Sequence, residues 1–338
     1  MLRRSFVLST LAACATRPRE DEPAAASRPR AGAAAAAPTD APAEADAPQR
    51  AGRPQWSQAE LDAHAEALRA ELGDRGLVIL TEAPFVVVGD ESPERVRAHA
   101  RGTVRWAVQA LRAQYFARDP EAIIDVWLLG SDASYTAWAV ERFGGTPTTP
   151  YGYYTHEHQA LVMNIATGGG TLVHEIVHPF MAANFPACPS WFDEGLASLY
   201  EQSTEHAQTC DGDACAGAPG LIWGLPNWRL PGLQQAILAD RVPSTEALTR
   251  TGDRPFYDDD PGTNYAQARY LCLWLQEQGL LSRYYREFVA AAAEDPGGFA
   301  TLRRLLGERE RRGDGARELD MDAFDRRWRA WVLTLSQG

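Results

Sequence analysis

Residues 151–178 read YGYYTHEHQALVMNIATGGGTLVHEIVH. The first part alternates apolar and polar positions. Tyr151 to Thr155 and Ala160 to Ile165 flank a polar turn, which predicts a β-hairpin. After Gly168, Gly169 and Gly170 the period changes to that of a helix. Residues at i and i+4 of a helix lie one turn apart on one face, so His174 and His178 project side by side. Two imidazoles so placed can grip one divalent cation, and Glu175 is placed beside them to polarise a water on it. With 7 His and 23 Glu in 338 residues, a shuffled chain contains this HExxH pattern in roughly 1 case in 100. The alternative is an amphipathic helix with two structural histidines. Leu172, Val173, Ile176 and Val177 are apolar, so the faces the metal does not use can pack into a core. Pro179 removes a helical hydrogen bond to the carbonyl of Glu175, which predicts a kink.

A catalytic zinc usually takes three protein ligands and a water. Downstream, residues 189–197 read PSWFDEGLA. Ser190 and Asp193 have the spacing of a helix-capping pair, and Glu194 then falls on the first turn among Trp191, Leu196, Leu199 and Tyr200. A carboxylate among so much apolar surface requires a partner, unless it is turned to solvent. Other polar clusters carry less. His156 and His158 sit in the hairpin turn and read as solvated. The acid-rich turn Tyr257 to Gly262 reads as a hydrated loop, with calcium binding the alternative. Arg303 to Arg312 interleaves with Glu as a solvated helix face.

Outward from these motifs, the pattern gives strands first and helices after. Helices are predicted over Ser57–Leu72, from Ser92 (cap) and Pro93 to about Ala117, and from Ser131 to about Phe143. Strands are predicted at Val78–Leu80, Phe85–Val88 and Ala122–Leu129. From Ser190 the reading is helical, interrupted by a Gly/Pro-rich excursion from about Asp211 to Pro231. This order predicts an α+β fold.

Composition narrows the chemistry. All 33 basic residues are Arg and none is Lys, which excludes phosphate-loop, kinase, pyridoxal Schiff-base and Ser-Lys chemistries. The net charge of −12 argues against a sequence-independent nucleic-acid binder. The start of the chain predicts export. Met1–Arg4 is basic, and Ser5–Ala13 is apolar but too short to span a bilayer. Leu11-Ala12-Ala13-Cys14 resembles a bacterial lipobox, so residues 1–14 read as a lipoprotein-type signal peptide with Cys14 acylated after cleavage. Arg3-Arg4-Ser5-Phe6-Val7 also resembles a twin-arginine signal. Ala15 carries no retention signal, so the expected location is the cell envelope, anchored through lipid at the outer membrane and facing the periplasm. Residues 15–55 are Ala/Pro-rich and read as a disordered tether; residues 56–338 form the folded domain. Residues 1–55 hold 8 Arg against 6 acids, leaving 25 Arg against 39 acids beyond. In an oxidising compartment Cys210 and Cys215 are the first candidates for a disulfide, with Cys188 to either as the rival, and Cys272 a buried thiol.

HExxH followed by W-x-x-E-G-x-A (Trp191 to Ala197) resembles the gluzincin branch of the zincin metallopeptidases, the peptidase MA-like group. The resemblance implies a zincin-like architecture. A mixed β-sheet with helices (56–183) would carry the HExxH helix, and a mostly helical half (184–338) would follow. It implies one zinc ion on His174, His178 and Glu194, Glu175 as general base and acid, and a peptide or protein substrate. In that group the strand before the motif aligns the substrate. Glu194 stands 16 positions after His178, closer than in thermolysin-like enzymes, and Ser198 stands where those carry an acid. The support behind the two imidazoles is therefore open, with Glu201 a candidate. Asn264 to Leu275 resembles the Tyr-bearing helix of the zinc aminopeptidases, which implies that Tyr265 donates to the oxyanion. A core tyrosine is the alternative reading, and Tyr270 the second candidate. The expected function is zinc-dependent peptide-bond hydrolysis in the envelope. The alternative is a zinc-holding lipoprotein that serves as a binding or assembly module without turnover.

Overall fold

Five short strands lay down the central sheet. β1 (Val78–Glu82) and β2 (Phe85–Gly89) are joined across a cis Ala83–Pro84 bond and pair antiparallel. β2, β3 (Ile124–Leu129) and β5 (Ala160–Asn164) run parallel. β4 (Gly152–Thr155) closes one edge, antiparallel to β5, in the order β1-β2-β3-β5-β4. Successive side chains of a strand face opposite ways. Val87, Val126 and Leu161 lie in register on one face, and Val88, Trp127 and Val162 in register on the other. All six are buried, so the sheet is covered on both sides.

The second face is covered by α1 (Gln58–Leu72) and α4 (Asp132–Phe143). Ser57 and Glu60 close a reciprocal capping box at the start of α1. Leu61, Ala65, Leu68 and Leu72 then recur at helical spacing and bury one stripe. The first face is covered by a long rod and by α5 (Gly170–Asn184). The rod is α2 (Pro93–His99), a π-helical segment Ala100–Arg105, and α3 (Trp106–Gln114). The π segment was not expected; α5 packs against it. Pro179 breaks one backbone bond without ending α5, which continues to Asn184.

The rest is helical around α6 (Ser190–Leu199) and α10 (Pro261–Glu277). These two helices touch where Gly195 meets Ala268: a Cβ on Gly195 would stand 3.1 Å from the Ala268 backbone. α7 (Leu230–Leu238), α8 (Thr245–Arg250), α9 (Asp253–Asp258), α11 (Leu281–Ala291) and α13 (Met321–Thr334) pack around them, and α12 (Phe299–Asp314) packs on α8 and α11. This half is mostly helical, as expected, with one departure. The chain after Ser190 also contains a two-stranded antiparallel ribbon, β6 (Ser203–His206) with β7 (Leu221–Gly224), partly inside the Gly/Pro-rich excursion. The architecture is α+β.

The computed structural model describes residues 55–206, 220–314 and 319–337. The expected signal peptide with Cys14, the tether up to residue 54, and the Cys210/Cys215 pairing lie outside the described residues. Gln55, expected to end the tether, is already held: its backbone N donates to Asp119 Oδ2 at 3.3 Å. Cys188 is a free thiol, against the rival pairing, and Cys272 is a buried free thiol as expected. No helix among the described residues is long and apolar enough to cross a membrane.

Candidate metal centre

α5 starts on a glycine for a steric reason. A side chain at Gly170 would overlap the carbonyl of Glu201, so the helix can begin only where the backbone is bare. One turn in, His174 is buried and His178 partly so, their rings 4.9 Å apart. Across from them α6 supplies Glu194, 7% exposed. Its Oε2 lies 3.3 Å from His174 Nε2 and 3.8 Å from His178 Nε2. The three groups can offer ligand atoms that all lie within 4.8 Å of one another. The expected triad is thus brought together.

The donor set fits a metal ion on a second count. Glu194 Oε1 accepts from the Tyr257 hydroxyl at 3.0 Å, whereas Oε2 is buried and has no hydrogen-bond partner. An unpartnered buried carboxylate oxygen is costly, and a cation bound between it and the two Nε2 atoms removes that cost. Two imidazole nitrogens and one carboxylate oxygen form the ligand set of open, water-accepting metal sites.

The outer nitrogens each face a carboxylate. His178 Nδ1 donates to Asp193 Oδ1 at 3.0 Å, and His174 Nδ1 faces Glu201 Oε1 at 3.2 Å. A proton kept on Nδ1 would leave each Nε2 lone pair free to ligate a metal ion beside Glu194. Glu201 is anchored in turn. Arg229 donates to both its oxygens, at 2.8 and 3.2 Å, and Asn227 Nδ2 donates at 3.0 Å. The guanidinium of Arg229 lies against Trp228, 4.2 Å from its ring centre, and 5.3 Å from that of Tyr265.

The electrostatics follow from the packing. Desolvation pulls both imidazoles down, but the carboxylates outweigh it. Glu194 and Glu201 hold His174 well above its ordinary value, and Asp193 with Glu194 pushes His178 up to about 9. Burial raises Glu194, yet His178 and His174 bring it down to about 2. Burial likewise raises Glu201, and His174 and Arg229 bring it down to about 2. Without a metal, protons on the imidazoles balance a cluster that is otherwise rich in negative charge.

The remaining candidates fall as follows. Glu175 is half-buried on α5, directly after His174, and its charge reaches Tyr135. Tyr265 is half-buried on α10; burial, then the charge of Glu194, push its phenol up, so it stays a donor. Tyr270 is not at the site; its hydroxyl is buried against the backbone of Asn227. The candidate Glu201 is found behind His174. The expected Ser190–Asp193 cap is corrected. Asp193 turns to His178, Ser190 donates to Asp253 Oδ1 at 2.6 Å, and α6 has no side-chain cap. The acid-rich turn is also spoken for: Asp260 caps α10, and Asp258 pairs with Arg254. Sequence reasoning missed Tyr257, Asn227 and Arg229. The available signal was that Arg229 is the sole basic residue between Asp211 and Pro231.

No family model and no curated protein matches this chain.

Proposed function

We propose that this chain is a zincin-like metallopeptidase that hydrolyses peptide bonds at the cell envelope. The observation that carries the reading is the convergence of His174, His178 and Glu194 within 4.8 Å, with Glu175 on the same helix as the two imidazoles. The N₂O donor set and the enclosed site favour zinc. When bound, zinc acidifies a water and polarises a carbonyl. Glu175 then takes the proton of the attacking water and returns it to the leaving amine. Tyr265 donates its hydroxyl to the developing oxyanion; losing such a donor typically costs about 10²–10³ in turnover. Asp193 and Glu201 hold the imidazole rings in one orientation, and Arg229 and Asn227 hold Glu201.

Strand β4 supports a peptide substrate. It pairs with β5 on one side only, it ends the sheet, and α5 packs against it. Its free backbone edge can pair with an extended peptide laid beside the centre. Acylation of Cys14 and a tether over residues 15–55 belong to the same reading, since they place the domain at a membrane surface.

The test uses metal analysis together with mass-spectrometric profiling of a peptide library. The wild-type protein should hold about one zinc per chain and cleave. Glu175→Gln should keep the zinc and lose hydrolysis, and unchanged hydrolysis refutes the base assignment. Stoichiometric zinc without cleavage under any condition supports the module that binds without turnover.

A further inference from the structure

The third ligand has two oxygens, and the fold treats them differently. Glu194 Oε2 faces both Nε2 atoms and has no hydrogen-bond partner. Oε1 faces away from that pair toward α9, where it accepts from the Tyr257 hydroxyl at 3.0 Å. The hydrogen bond has structural support. Ser190 and Glu194 stand one turn apart on α6, and Asp253 and Tyr257 one turn apart on α9. Ser190 meets Asp253 at 2.6 Å and Glu194 meets Tyr257 at 3.0 Å, so the two helices are stapled in register at two successive turns. The rings of Phe256, Tyr257 and Tyr265 form a triangle, with Tyr257 5.4 and 6.2 Å from the other two and those two 5.3 Å apart. Its hydroxyl is therefore delivered by a docked helix.

We propose that Tyr257 is a positioning residue: by occupying Oε1, it restricts Glu194 to ligating a metal ion through Oε2 alone. A carboxylate free to swing would use both oxygens and fill a position that water or substrate needs. Groups that orient a metal ligand typically change metal affinity 10–100-fold when removed. The inference rests on the metal-centre reading above and goes beyond it by assigning a residue that touches neither substrate nor ion.

The test loads the full-length protein with Co²⁺ and records its visible spectrum. In Tyr257→Phe the freed Oε1 can join the ion, so the cobalt bands should weaken and shift, and zinc measured against a competing chelator should bind about tenfold more weakly. Asp253→Ala is the control, because it cuts the Ser190–Asp253 arm of the staple while Ser190, which also bonds to Tyr257, stays in place. It should keep the wild-type spectrum. An unchanged spectrum in Tyr257→Phe overturns the proposal, and so does the same change appearing in Asp253→Ala, which would trace the effect to helix docking. If the wild-type chain takes up no cobalt, the metal-centre reading falls and this inference with it. That outcome is distinct from a loaded wild type that Tyr257→Phe merely reproduces.

Discussion

A metal ion at the site would compete with protons for the same two nitrogens, and the strength of that competition can be worked out from the site. The perturbation is pH. His178 is pushed up to about 9 by Asp193 and Glu194 against the opposing effect of burial, and His174 is held well above 6.5 by Glu194 and Glu201. Only a neutral imidazole ligates, so each must shed a proton when the ion enters. For His178 alone, two pH units below its pKa weaken binding by about 100-fold, or about 2.7 kcal/mol. With both imidazoles protonated, the logarithm of the apparent association constant should rise by about 2 per pH unit near neutrality, and His178 should cease to contribute to that slope above about pH 9. Glu194, brought down to about 2, is ionised throughout and adds nothing to the slope. Calorimetry in buffers of different ionisation enthalpy counts the protons released directly. A release below about one proton per ion near neutrality would show that the imidazoles are not held charged by the carboxylates, and the electrostatic account of the site would be wrong. The metal-free protein carries the opposite dependence. The raised histidines stabilise it fully below their ordinary 6.5 and lose that contribution as pH rises through about 9 for His178. The lowered Glu194 and Glu201 stabilise it above 4.5 and lose that contribution as pH falls toward about 2. Thermal melts of the chelator-treated protein should therefore peak between 4.5 and 6.5.

Two further perturbations test the scaffold of the site. Arg229→Met removes one partner of a pair whose side chains are 16% and 13% exposed, leaving Glu201 with Asn227 and His174. The expected cost is about 3 kcal/mol in denaturant unfolding, the low end for a broken buried pair, with a weaker hold on metal; unaltered unfolding would mean that Glu201 is solvated after all. Gly170→Ala forces α5 away from the Glu201 carbonyl and should destabilise by about 1–3 kcal/mol. Its metal affinity should fall as well, and a wild-type melting curve would refute the steric reading.

Much of the fold was legible because local signals and burial agree. Ser57, Ser92 and Ser131 each cap the helix they were expected to open. The run Phe85–Val88 is a strand, as expected, and the structure buries it on both faces. The β6–β7 ribbon escaped notice for the converse reason. Ser203–His206 is polar and mostly exposed, so no alternation marks it, and its partner lies in a stretch of Gly and Pro. The π segment is equally hidden, because it changes the hydrogen-bond register of a helix without changing its apolar stripe. At the site, His174 and His178 were legible through their spacing, and Glu194 through its apolar neighbours. Asp193 was misread because the same position on a first turn suits a cap and a histidine partner alike. Tyr257 stands 63 residues from Glu194, and only the docking of α9 on α6 brings them into contact.

That wide dispersal along the chain limits what can be borrowed from this protein. Transplanting the octapeptide of residues 171–178 into a foreign scaffold would carry two imidazoles and a glutamate. It would leave behind the opposing carboxylate, both acids that steady the rings, and the phenol that faces Glu194. An engineer seeking a transferable ion trap would need at least α5, α6, α9 and the stretch around Asn227 and Arg229, held in their present mutual arrangement. The smallest portable version of this centre thus spans Gly170 to Asp258 and not an eight-residue motif.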